Sequence, residues 1–147
     1  MSIILLDANV LIALGWEEHI HHGPALRWMK SQPDRWATCP FTECAFIRIG
    51  SNNRITPGAT TPANATLALR NLCRQPRHVF WADDYSPADE PVFEQLQGHR
   101  QITDAYLLML ALRHKAKLAT FDGGIKTLAR ALLGDDKRVL LIPQQEQ

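Results

Sequence analysis

A single α/β domain spanning residues 1–147, with a mainly parallel five-stranded sheet flanked by helices, is the fold the sequence predicts. Short apolar, β-prone segments recur at IILL (3–6), WATCP (36–40), HVFWA (78–82), KLATF (117–121) and RVLLI (138–142). The first four are each followed by residues at helical spacing, and strands that alternate with helices form a parallel sheet covered on both faces. With 147 residues the chain suits one domain, since a domain of about 150 residues buries roughly 68–70% of its unfolded surface.

After IILL, Asp7 stands where the apolar run gives way to Val10, Leu11 and Leu14, a change from strand to helical periodicity. WATCP leads into FTECAFIRI, where Phe41, Ala45 and Ile49 share a helical face. RIGSNNRITPGAT, 48–60, is polar and broken by Gly and Pro, and reads as a surface loop near the site. Thr61 followed by Pro62 opens a helix through Leu67, Leu69 and Leu72, proline being favoured at the first helical position. Ser86 before Pro87 opens another after HVFWA, through Val92, Phe93 and Leu96, with Gly98 ending it. TDAYLLMLALRHKA, 103–116, is the longest helical pattern, with Thr103 as its cap and Leu107, Leu108, Ala111 and Leu112 facing the core. KLATF, the helix GGIKTLARALL and RVLLI complete the chain.

Composition excludes several classes. Hydrophobic residues at 46% and charged residues at 21% describe an ordered globular protein. Sixteen Lys and Arg against fifteen Asp and Glu leave a net charge of +1, so any contact with nucleic acid is local and no general membrane attraction exists. Cys39, Cys44 and Cys73 are odd in number and form no CxxC pair, which reads as reduced, mostly packed thiols. The longest apolar run, AYLLMLAL, is far below the ~20 residues of a membrane span. No basic segment precedes IILL, so a cytoplasmic location is expected.

Asp7, Glu43, Asp104 and Asp122 all fall at helix starts. Each alone reads as a cap, because a carboxylate there satisfies free N–H groups and complements the helix dipole. Together they suggest more, since the carboxyl ends of parallel strands share one edge, where ligands bind. Asp7, Glu43 and Asp122 reach that edge through their strands, and Asp104 joins them if GHRQIT crosses it. Clustered carboxylates raise one another's pKa unless a cation holds them, and an all-oxygen set fits Mg2+ or Mn2+ better than zinc.

LLDANVLIAL, CPFTECAFIRI and GHRQITDAYLLMLALRHKAKLATFDGGI, in this order, resemble a PIN domain, in particular the VapC ribonuclease toxins of bacterial toxin–antitoxin pairs. The similarity runs over nearly the whole chain. It implies that Asp7, Glu43, Asp104 and Asp122 form the family's acidic quartet, with Asp7 and Asp104 the surest metal ligands and Asn9 and Thr120 supporting them. Thr42 stands before Glu43 where serine is common, and its hydroxyl serves the same purpose. The implied activity is Mg2+-dependent hydrolysis of RNA phosphodiester bonds, with Mn2+ as substitute. Implied partners are the RNA substrate, a VapB-type antitoxin lying across the groove and a second copy of the chain in a homodimer.

Other residues carry blander expectations. His19, His21 and His22 lack partner cysteines and read as surface or dimer-edge packing; no spacing supports His22 and His99 as an acid–base pair. Arg48, Arg54, Arg100 and Lys126 are solvated charges that can border the acids and meet phosphates. Trp16, Trp28, Trp36 and Trp81 read as packing residues before base-stacking ones. Two rival functions remain: a receiver-like signalling module with a phosphoacceptor aspartate, and a catalytically inactive PIN-like binding module. The first lacks paired acids after strand one and a lysine after the last strand; the second is disfavoured by the intact quartet.

Overall fold

The computed structural model describes residues 2–56 and 58–144; the outermost parts of the expected 1–147 domain, Met1 and 145–147, and Pro57 in the polar loop lie outside them. Five strands, β1 (Ile3–Leu6), β2 (Arg35–Thr38), β3 (His78–Phe80), β4 (Lys117–Thr120) and β5 (Val139–Leu141), form one sheet in the order β3-β2-β1-β4-β5. Every neighbouring pair is parallel, with Leu5 opposite Ala37 on one side and Leu118 on the other. Sequence order reverses at β1, which is paired with both β2 and β4. That makes the carboxyl ends of β1 and β4 the switch point at which such sheets bind ligands.

Among the described residues six α-helices cover the sheet: α1 (Ala8–Gly15), α2 (His22–Ser31), α3 (Pro40–Gly50), α4 (Pro62–Cys73), α5 (Ile102–Arg113) and α6 (Gly124–Leu133). The two-residue period of the strands divides the core. Ile4, Leu6, Trp36 and Ala119 pack under α1 to α4 with Leu11, Phe46 and Leu69, whereas Leu5, Ala37 and Leu118 face α5 and α6 with Leu107, Leu108 and Ile125. Helices α1 and α3 approach closely: Trp16 and Phe46 have ring centroids 4.6 Å apart, and a Cβ at Gly50 would overlap the Trp16 ring. Trp16, Trp36 and Trp81 are buried, as the packing reading expects. Of the three free thiols, Cys39 is buried and Cys73 half-buried, but Cys44 is exposed.

Three local expectations give way. Helix α2 was not expected, and it begins without a side-chain cap at His21 and carries Pro24 in its first turn, where the missing N–H costs nothing. The helix expected from Ser86 is instead two 3-10 turns, Pro87–Asp89 and Pro91–Gln95, because Pro91 forces Glu90 into an extended conformation at φ −109°, ψ 110°. Thr103 is not the cap of α5; a 3-10 turn, His99–Gln101, runs straight into the helix and puts Gln101 at that position. Asp104 is thereby in the first helical turn.

Candidate functional site

Asp7 follows β1 and caps α1, with an extended backbone at φ −61°, ψ 153°. Its N–H donates to the Ala119 carbonyl at 2.9 Å, continuing the β1–β4 pairing, and its side-chain Oδ1 accepts from the Ala8 N–H at 2.7 Å. Oδ2 accepts from the Thr120 hydroxyl at 2.8 Å. Thr120, fully buried at the end of β4, also accepts from the Asp122 N–H at 3.0 Å and the Asn9 side-chain amide at 3.3 Å. Asn9 Oδ1 in turn accepts from the Phe121 N–H at 3.4 Å. Asn9 and Thr120 thus stitch the two strand ends together and fix the Asp7 carboxylate between them.

Asp122 is exposed beyond β4, its Oδ1 accepting from the Gly124 N–H at 2.8 Å. Asp104 projects from α5, half-buried. Burial pushes its pKa up to about 6, helped by the charges of Asp7 and Asp122. Asp7 is also raised, chiefly by burial, against the opposing effect of the Thr120 and Ala8 hydrogen bonds and with a further push from Asp122. These three aspartates therefore share one electrostatic environment. They offer only oxygen donors, and a dication would relieve their mutual repulsion, so the residues fit a hard metal ion.

Glu43 is placed differently. It lies in the first turn of α3, and its Oε2 accepts from the Thr38 hydroxyl at 2.6 Å. His78 Nε2 lies 2.7 Å from the same hydroxyl. Since a hydroxyl has one proton and Glu43 takes it, the network assigns the imidazole as donor to Thr38. Glu43, Cys73 and His78 each bring a ligand atom within 4.8 Å of the others, a carboxylate, thiol and imidazole group able to hold a metal. The charge of Glu43 acts on this group, raising both His78 and Cys73, although burial is the larger influence on each and leaves the histidine lowered and the thiol raised.

Thr42 caps the start of α3: its hydroxyl accepts from the Cys39 N–H at 3.1 Å and donates to the Cys39 carbonyl at 3.1 Å. Asp83, just past β3, escaped the sequence reading. Its Oδ2 accepts from the Phe41 N–H at 3.0 Å and its Oδ1 from the Tyr106 hydroxyl at 2.7 Å, so it caps α3 from outside the helix. Thr38, His78 and Cys73 were equally invisible as a group, because 40 residues separate Thr38 from His78. Among the histidines read as packing residues, His21 stacks on Phe121 at 4.8 Å and a His22 ring nitrogen lies 2.7 Å from the Ala13 carbonyl. Arg48, Arg54 and Arg100 are exposed and Lys126 is half-buried.

A family model for the PIN domain matches residues 4–131, from β1 through most of α6. The chain belongs to the PIN-domain family. Two proteins of Mycobacterium tuberculosis place it more narrowly: it is 44% identical to "Ribonuclease VapC38", over 86% of this chain and 89% of that protein, and 41% identical to "Ribonuclease VapC39", over 86% and 94%. The fold also matches the crystal structure of VapC20 from the same organism, described as a toxin cleaving the sarcin–ricin loop, with a TM-score of 0.62 at 16% identity over 85% of this chain and 94% of that one. The chain is a VapC-type member of the family. A receiver-like module is set aside on the same grounds and on topology, since its sheet runs 2-1-3-4-5 and this one 3-2-1-4-5.

Proposed function

We propose that the protein is a Mg2+-dependent endoribonuclease, with Mn2+ as substitute, and the toxin of a VapBC-type pair. The observation that carries the reading is the placement of Asp7 and Asp122 on the shared Thr120 hydroxyl at the switch point of the sheet, with Asp104 near enough for the charges of both to bear on it. Kinship to named VapC ribonucleases supports RNA as the substrate. Asp7 and Asp104 are the direct metal ligands. Asp122 and Glu43 complete the acidic quartet, acting through water or on the attacking nucleophile. Asn9 and Thr120 hold Asp7 in position through the hydrogen bonds that bridge β1 and β4.

A bound Mg2+ supplies a water of lowered pKa and neutralises charge growing on the phosphate. The protein's part is placement. Asp7 can turn its remaining lone pairs toward the pocket because its backbone and side-chain donors already fix the carboxylate's orientation. Burial and the neighbouring charges of Asp7 and Asp122 raise Asp104's affinity for a proton, a cost that a bound dication would remove. Arg48, Arg54, Arg100 and Lys126 supply local positive charge for RNA phosphates on a chain of nearly zero net charge.

VapC-type kinship also supports a VapB-type antitoxin and a homodimer as partners, in the cytoplasm. Among the described residues no helix is long and apolar enough to cross a membrane. Inducing the protein and its Asp104→Ala variant in cells, then sequencing new RNA 5′ ends, tests the activity. Cuts at defined sites with the first and not the second are expected; identical patterns would remove the assignment. Light scattering that returned the mass of one chain would remove the homodimer.

A further inference from the structure

We propose that Glu43, Cys73 and His78 form a second metal site, for a borderline divalent ion of the Zn2+ class, and that filling it inhibits the enzyme by holding Glu43 on the β2–β3 side of the sheet. The ligand atoms come from three separate elements: the first turn of α3, the last residue of α4 and the first residue of β3. They lie within 4.8 Å of one another, and all three residues are half-buried. Donors around a tetrahedral zinc stand about 3.4–3.7 Å apart, given metal–ligand bonds of about 2.0–2.3 Å, so small side-chain adjustments close the site.

The chemistry of the group selects the ion. One thiolate and one imidazole are soft and borderline donors that Mg2+ does not favour, whereas zinc takes both together with a carboxylate. A thiolate, a carboxylate and a neutral imidazole carry two negative charges, which a dication cancels in a half-buried position. Three protein ligands leave a fourth position for water or another donor, the arrangement of three-ligand zinc sites. The buried Thr38 hydroxyl already lies between Glu43 Oε2 and His78 Nε2, at 2.6 and 2.7 Å, and also interacts with the Cys73 thiol. It is positioned either to fill the fourth place or to give it to water.

The inhibitory half of this proposal rests on the proposed nuclease function; the metal site itself does not. Co2+ is the probe for the site. Titrated into the metal-free protein, it should produce a thiolate-to-metal charge-transfer band that saturates at one equivalent. The band should be lost in Cys73→Ser, strongly weakened in His78→Gln and unchanged in Cys44→Ser, with circular dichroism melts showing each variant folded. Competition against a chromophoric zinc chelator should show Zn2+ bound more than tenfold more weakly by Cys73→Ser, since even outer partners of metal ligands are worth about 10–100-fold. No band in the unaltered protein, or a band that survives Cys73→Ser, overturns the site. Zn2+ added to the Mg2+-activated enzyme should slow RNA cleavage, and Cys73→Ser should need more than tenfold more zinc for the same effect. Equal inhibition of both proteins overturns the regulatory role, because the zinc would then act at the aspartates. Absence of cleavage without zinc contradicts the nuclease reading alone, while the Co2+ titration still decides the metal site.

Discussion

At the β1–β4 junction, hydrogen bonds fix Asp7 but leave it beside two further carboxyl groups, where burial and the charge of Asp122 raise the affinity of Asp7 and Asp104 for a proton. At the β2–β3 junction, Glu43 meets a hydroxyl and an imidazole in a network whose members satisfy one another. Both regions hold acids that start helices. What separates them is the company each acid keeps: like charges demand a hard cation, whereas a carboxylate, a thiol and an imidazole offer a mixed donor set to a softer one. A carboxylate's position at a strand end therefore does not by itself define its partner ion.

The largest effects should come from the aspartates. Asp7→Asn and Asp104→Ala are each expected to lower Mg2+-dependent RNA cleavage by at least ~100-fold, more than the usual loss for an outer partner of a metal ligand. Single-turnover cleavage of a defined RNA measures this, and a loss below tenfold in either variant would break the distinction between the two regions. Next comes Thr120→Val, which removes the donor to Asp7 and the acceptor for the Asp122 N–H. Mg2+ affinity should fall about 10–100-fold and stability by about 1–3 kcal/mol, read by calorimetric titration and by urea unfolding.

A subtler effect follows from proton linkage. Asp104 is raised from the ordinary carboxylate range to about 6, so the folded, metal-free protein binds this proton more tightly than the unfolded chain does. Its contribution to stability is fully present below about pH 4 and is lost as pH rises through about 6. Thermal melts of the metal-free protein should show Asp104→Asn gaining on the unaltered protein across that window, and saturating Mg2+ at pH 8 should reverse the difference. Parallel melting curves with no crossing would contradict the assigned environment. Smallest of all should be Thr38→Val, which alters only the β2–β3 network. Mg2+ affinity is expected to fall by less than about tenfold, below the loss at Thr120, because Thr38 touches the acidic quartet only through Glu43.

Much of the fold was legible because its signals are local. Apolar strands ending in Asp7, Thr38 and Thr120 each run into helical spacing, and the parallel sheet follows from that alternation. Thr61–Pro62 marked the start of α4 correctly, with the Thr61 hydroxyl accepting from the Asn64 N–H at 3.2 Å. Helix α2 was hidden because His21 supplies no capping bond and its apolar residues are spread by His22, Gly23 and Pro24. The segment after Ser86 misled because apolar Val92 and Phe93 imitate helical spacing while Pro91 prevents it. At the site, sequence order placed Asp7, Asp104 and Asp122 by their flanks. Side-chain direction had no such signal: only the folded chain brings Thr38, Cys73 and His78 to Glu43.

Paramagnetic broadening by Mn2+ in an amide-resolved NMR spectrum tests the central distinction most directly. The amides of Ala8, Asp104, Asp122 and Gly124 should broaden most at substoichiometric Mn2+, those of Thr38 on the neighbouring strand less, and those of His78 least. Broadening centred on Thr38 and His78, or spread evenly over the protein, would contradict a hard-metal pocket built by Asp7, Asp104 and Asp122.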